Sequence, residues 1–132
     1  MKTKIGYKQL LKEAEKNITT LEVEEALALF KEGKAKFMDL RDIREIERDG
    51  YISGSFHCPR GMLEFWVDQE SPYHKPIFSE PHYFVFYCAG GWRSALATQT
   101  AQMMGLSPVA HIRGGFRAWR EKECPIDGYK QK

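Results

Sequence analysis

Apolar residues recur along this chain at two different intervals, and each change of interval marks an element. Leu10, Leu11 and Ala14 share one side of a lysine-rich segment, which predicts an amphipathic helical arm at the amino terminus. Thr19 and Glu22 stand at the spacing of a capping box. Leu21, Val23, Ala26, Leu27 and Phe30 then follow at helical intervals, and Gly33 is placed to end that helix. Residues 36–40 read as a short strand that breaks into a charged segment over 41–49. Gly50 and Gly54 bracket Tyr51 and Ile52, and residues 55–58 read as another short strand closed by Pro59. Residues 60–67 have the composition for two helical turns. Residues 68–81 contain three prolines and little periodicity, so an irregular surface excursion long enough to act as a lid is expected there.

The clearest strand is 83–87, Tyr-Phe-Val-Phe-Tyr, apolar at every position. That is the pattern of a central strand covered on both faces. A helix from about Ser94 to Met104, a strand over 109–112, a turn at Gly114 and Gly115 and a last helix carrying Phe116 and Trp119 complete the order. Helices alternating with strands at crossover spacing predict an α/β domain, with a mainly parallel sheet and helices on both faces. The expected boundaries are a helical arm over 1–17, one domain over 18–122 and a tail over 123–132.

Composition narrows the function classes. With 132 residues the chain suits one domain, and 42% hydrophobic residues exclude disorder as the main state. A net charge of +2, with basic residues interleaved among acidic ones, gives no case for a nucleic-acid surface. Runs such as Arg44, Glu45, Glu47 and Arg48 read as solvated helix faces. No apolar run is long enough for a membrane span, and the amino terminus turns polar at once, so neither a membrane partner nor a leader is expected. Cys58, Cys88 and Cys124 cannot all pair and lack zinc-site spacing, so a reducing, cytoplasmic setting and no metal are expected.

The sharpest feature is Cys88-Ala89-Gly90-Gly91-Trp92-Arg93-Ser94, between the clearest strand and the helix after it. Ligands of open α/β sheets bind at that edge. Gly90 and Gly91 let the chain curl so that backbone N–H groups point inward as a nest. The following helix adds its unpaired N–H groups and the positive end of its dipole, and Arg93 adds a full charge. These groups favour a charged sulfur, so Cys88 reads as a nucleophilic thiolate whose adducts are anionic. Protein tyrosine phosphatases use a related cradle one residue longer. The four residues between Cys88 and Arg93 make a tighter cup, which suits a terminal sulfur better than a tetrahedral phosphoryl group.

With those residues in view, the chain resembles a single-domain rhodanese of the sulfurtransferase family. Cys88, Gly91, Arg93 and Ser94 match the family's active loop. Asp39, Leu40, Arg41 and Asp42 with Glu45 resemble its Asp-Val-Arg-Glu segment. Gly50, Ile52 and Gly54 with Pro59 resemble its Gly-His-Ile-Pro-Gly-Ala signature, with Tyr51 for histidine and Ser53 for proline. Gly114, Gly115, Ala118 and Trp119 resemble its closing Gly-Gly-x-x-Ala-Trp. The resemblance covers about residues 18–122. It implies a five-stranded sheet and a ping-pong reaction in which Cys88 takes sulfur from a donor such as thiosulfate. A thiol, cyanide or a protein then accepts that sulfur. No metal or organic cofactor is implied. The alternatives are a non-catalytic interaction module, or a phosphatase or arsenate reductase on the same fold.

Several residues receive expectations from their positions. Arg93 is expected to hold the donor's anionic part and to be the loop's only side-chain charge. Ala89 stands where thiosulfate-active relatives often carry a basic residue, so Arg60 is a candidate for a second charge and a bulkier donor is expected. Asp39 is a candidate for the pocket floor, although capping a turn or pairing with a buried arginine is the ordinary role of such a residue. Arg41 with Glu45 is expected to form an internal ion pair. Trp92 is expected at the pocket rim, Trp66 beside the lid, the two forming an apolar entrance, and Trp119 packing the last helix on the sheet. His57, His111 and Cys58 read as structural. Cys124 reads as an exposed cysteine, with a resolving thiol as the other option.

Overall fold

A computed structural model of the chain describes residues 1–130. Five strands, β1 (Thr19–Leu21), β2 (Ala35–Asp39), β4 (Phe56–His57), β5 (Tyr83–Tyr87) and β6 (Val109–Ile112), form one sheet in the order β1-β6-β5-β2-β4. Every neighbouring pair in it is parallel, so each connection must cross over a face, as the alternation of helices and strands predicts. The helices are α1 (Tyr7–Asn17), α2 (Val23–Glu32), α3 (Ile43–Asp49), α4 (Leu63–Val67), α5 (Trp92–Met103) and α6 (Gly115–Glu121). Two short strands, β3 (Tyr51–Ile52) and β7 (Ile126–Asp127), pair antiparallel beside the sheet.

Central β5 explains its own composition. Val85 and Tyr87 project into one core with Phe37, Ala110, Ile112, Phe116 and Trp119. Phe84 and Phe86 project into the other with Met38, Leu63, Ala97 and Ala101. Side chains alternate across a strand, so only a strand covered on both faces can be apolar at every position. The arm α1 packs on α5, burying Ala14. No helix among the described residues is long and apolar enough to cross a membrane.

Five local expectations differ from the structure. Thr19 does not cap α2. It begins β1, whose residues pair with 110–112, and the capping box is formed three residues on by Glu22 and Glu25. The edge ladder satisfies backbone groups that a cap at Thr19 would have left open. The charged segment becomes α3, capped by Asp42 and Glu45. Helix α5 starts at Trp92 rather than Ser94, so the second half of the active loop is already helical. Residues 68–81 are not a lid. Phe78 stacks on Phe84 at 5.5 Å, and residues 67–70 share a cleft with residues 104–106, at the far end of α5 from Cys88. The segment after Cys124, expected as a tail, supplies β7, and the Trp119 Nε1–H donates to the Pro125 carbonyl at 2.9 Å.

Candidate active site

Cys88 follows the last residue of β5 and is buried, with 1% exposure. Its Sγ accepts from the backbone N–H groups of Gly91 at 3.2 Å and Ser94 at 3.4 Å, and the Ser94 hydroxyl lies 3.6 Å away. Gly91 is the N-cap of α5 at φ +107° and makes no side-chain cap, so the sulfur takes the place that a capping oxygen usually fills. The amides of Trp92 and Arg93, in the first helical turn, have no intrahelical acceptor and belong to the same electropositive end.

The loop keeps this shape because its carbonyls are held elsewhere. The N–H groups of Phe116 and Arg117, at the start of α6, donate to the carbonyls of Cys88 at 2.8 Å and Ala89 at 3.1 Å. With those oxygens turned toward α6, the following amides face the sulfur. Gly115, at φ +58°, allows the approach: a Cβ there would stand 2.4 Å from the Cys88 carbonyl oxygen. The closing glycine pair of the sequence motif is thus part of the site's construction.

The charges are distributed differently from the expectation. Arg93 is engaged by Glu45 through two bonds, Nη1 to Oε2 at 2.8 Å and Nη2 to Oε1 at 3.0 Å. The Arg93 guanidinium holds the Glu45 carboxyl below its ordinary range, and Glu45 in turn raises the Arg93 value. Arg41 does not pair with Glu45. It is buried and forks onto Asp39, with Nε to Oδ1 at 2.9 Å and Nη2 to Oδ2 at 2.6 Å. It also donates to the Gly50 carbonyl at 2.7 Å and lies 4.1 Å from the Phe116 ring centre. Asp39 therefore anchors a buried arginine and lines a separate cavity of about 370 Å³ with Ile43, Tyr51 and His57.

The cavity at the sulfur, about 390 Å³, is lined by Cys88, Gly90, Trp92, Arg93 and Arg117. Arg60 is not among these. It pairs with Glu64 at 3.0 Å and lines a neighbouring cleft with Pro59 and Arg93. Trp92 lines the cavity and is exposed, with Tyr7 of α1 against it, ring centres 4.9 Å apart. Trp66 instead packs on Phe56 under Lys75, while Trp119 is fully buried against Phe30 and Phe37. Burial pushes the Cys58 thiol up to about 12, which suits an inert core residue. Cys124 is buried rather than exposed, and burial raises its thiol as well.

Two residues gain importance beyond the sequence reading. His111 Nδ1 lies 2.9 Å from the Ser94 hydroxyl and its Nε2 lies 3.1 Å from Thr20 Oγ1, so the serine beside the nucleophile is backed by a buried imidazole. Burial, with a smaller contribution from Arg113, pushes that imidazole down to about 4. The signal was strand alternation, which puts His111 on the α5 side at the carboxyl end of β6. Arg117 falls at a variable position of the closing Gly-Gly-x-x-Ala-Trp segment, yet its guanidinium lies over Gly90.

Residues 22–122 match the family model of the rhodanese-like domain, and the chain belongs to that family. A solved structure from Rhodopseudomonas palustris, described as a protein of unknown function and possible tyrosine phosphatase, is 59% identical. It covers 96% of this chain and 98% of its own, with a TM-score of 0.94. A thiosulfate sulfurtransferase from Pseudomonas aeruginosa is 26% identical over 91% of this chain and 22% of that one, with a TM-score of 0.74. The Bacillus subtilis protein YqhL is 30% identical over 67% of this chain, and the match spans 64% of that relative's length. A rhodanese-like domain with a cradled cysteine is a scaffold for covalent thiol chemistry.

Proposed function

We propose that the chain is a sulfurtransferase in which Cys88 takes sulfane sulfur from an anionic donor and passes it on from a persulfide. The observation that carries this reading is the pair of backbone donors on Cys88 Sγ, at 3.2 and 3.4 Å, at the positive end of α5. They point at the atom that carries negative charge in the thiolate and persulfide forms, and they require no reorganisation during the reaction. In the first half-reaction the thiolate forms a bond to the outer sulfur of thiosulfate. The S–S bond of the donor breaks, its electron pair leaves with sulfite, and the enzyme keeps Cys88–S–S⁻. In the second, a thiolate, cyanide or protein acceptor attacks the outer sulfur and the Cys88 thiolate leaves. Neither step moves a proton, which fits a cavity lined by Cys88, Gly90, Trp92, Arg93 and Arg117.

A second reading is favoured by the 59% identical relative, whose description as a possible tyrosine phosphatase outweighs the names of the less similar sulfurtransferases. Cleavage of an aryl phosphate asks a general acid to protonate the leaving phenolate. The carboxylate bonded to the loop, Glu45, is tied to Arg93 in its ionised form. The four-residue loop and the engagement of Glu45 by Arg93 support sulfur transfer over phosphoryl transfer. Incubation with thiosulfate followed by intact-mass measurement separates the two. A gain of one sulfur atom, lost in Cys88→Ser and kept in Cys58→Ala, is the expected result. Turnover of an aryl phosphate with no sulfur adduct from any sulfane donor would replace the first reading with the second.

A further inference from the structure

A second guanidinium reaches this site from α6. Arg93, the arginine of the loop motif, has both its terminal nitrogens on Glu45, so its net field at the cavity is reduced. Arg117 lines the same cavity, is exposed, and makes no ion pair among the described residues. An ideal Cβ on Gly90 would lie 3.6 Å from its Nη1, which places the guanidinium directly above the loop. Its own backbone N–H is tied to the Ala89 carbonyl at 3.1 Å, so the base of the side chain moves with the loop.

The same cavity is lined by Trp92, and Tyr7 stands against that ring to form an aromatic wall. Trp92 is 62% exposed and Tyr7 is 51% exposed, yet their rings are in contact. The wall joins two distant parts of the sequence, because α1 packs along α5 and delivers Tyr7 to the first residue of that helix. Inorganic thiosulfate has no surface to set against two rings. An organic donor has one, and removing it from water there is favourable.

We propose that Arg117 binds the anionic group of the substrate while Trp92 and Tyr7 hold an apolar body. The preferred donor is then an organic anion bearing terminal sulfur, such as an aryl thiosulfonate or a carboxylate-bearing persulfide. This inference rests on the sulfur-transfer reading for the donor's identity, whereas the anion-binding role of Arg117 stands without it. With benzenethiosulfonate, the Cys88 thiolate attacks the terminal sulfur, the S–S bond breaks, and benzenesulfinate leaves with the electron pair.

Two measurements test the two parts. The first compares alkylation of Cys88 by iodoacetate and by iodoacetamide, which differ in charge and involve no sulfur transfer. Arg117→Gln is expected to lower the iodoacetate-to-iodoacetamide rate ratio about tenfold, as loss of a charge-assisted contact implies, and Arg117→Lys to restore most of it. A ratio within twofold of the wild type in Arg117→Gln overturns the role of Arg117. The second measures kcat/KM for benzenethiosulfonate and for thiosulfate. The wild type is expected to favour the aryl donor by at least about tenfold, chiefly through KM, and Trp92→Ala to erase that preference. Equal use of both donors by the wild type, or an unchanged preference in Trp92→Ala, overturns the aromatic wall. If neither compound leaves a sulfur on Cys88, the sulfur-transfer reading fails while the alkylation result for Arg117 still stands.

Discussion

Replacing Gly115 by alanine tests whether α6 shapes the nucleophile. A Cβ there would stand 2.4 Å from the Cys88 carbonyl oxygen and 3.0 Å from the carbonyl carbon and oxygen of Ala89. Ordinary contact begins near 3.4 Å, so the loop and α6 must separate by about 1 Å. That movement breaks or badly stretches the bonds from Phe116 and Arg117 to the loop carbonyls, now 2.8 and 3.1 Å. Two buried hydrogen bonds contribute about 1 kcal/mol each, and the left-handed φ of +58° adds about 1 kcal/mol of strain for alanine. The expected loss is about 3 kcal/mol, a large share of a small domain's stability. Urea unfolding should show a lower midpoint at an unchanged slope. At pH 7, alkylation of Cys88 by iodoacetamide should slow, because the freed carbonyls no longer hold the amides on the sulfur. Gly128→Ala, where a new Cβ meets nothing within 4 Å, is the control. A Gly115→Ala protein within about 0.5 kcal/mol of the wild type, with unaltered alkylation, would refute the reasoning.

Two further perturbations follow from the charges around the loop. His111 is pushed from 6.5 to about 4 by burial, so between those values the unfolded chain binds a proton that the native state does not. Stability should therefore fall as pH drops from about 6.5 to about 4, by about 3 kcal/mol from this group, and His111→Asn should flatten that slope in urea titrations across the same range; an equal slope in the variant would remove His111 as its source. Glu45→Gln can keep the capping bond to the Asp42 N–H while releasing the charge of Arg93. The iodoacetate-to-iodoacetamide ratio at Cys88 should rise about threefold, and a fall would show that Glu45 does not offset Arg93 at the sulfur.

The parts of the fold legible in the sequence were those whose signal is local and continuous. Strand β5 announced itself because all five of its residues are buried or nearly so, and the loop after it because Cys88, Gly91, Arg93 and Ser94 are adjacent in sequence. Strands β1, β3 and β7 carry three, two and two residues, too few for a period to appear. Charged residues hid α3, since only Ile46 in it is buried and its Asp42–Glu45 box was read as part of a family segment instead. The supposed lid was misplaced because prolines report irregular backbone without reporting which edge of the sheet it crosses.

The site was half legible for a related reason. Sequence adjacency supplied the sulfur and its amides, whereas the partners that set their charge and orientation come from other elements. Glu45 is 48 residues from Arg93, and His111 is 17 residues from Ser94. An arginine in a cysteine loop looks like the substrate's anion binder until its counter-ion is located. Glu45 offsets part of the Arg93 charge, and Arg117, at a variable position of the closing segment, adds a second guanidinium to the same cavity. Helix α6 thus acts on the reaction twice, through two backbone N–H groups that shape the loop and one guanidinium that faces the substrate. Because both depend on Gly115 letting α6 approach, loss of loop geometry and loss of anion selectivity should appear together in Gly115→Ala, while Arg117→Gln should lose selectivity alone.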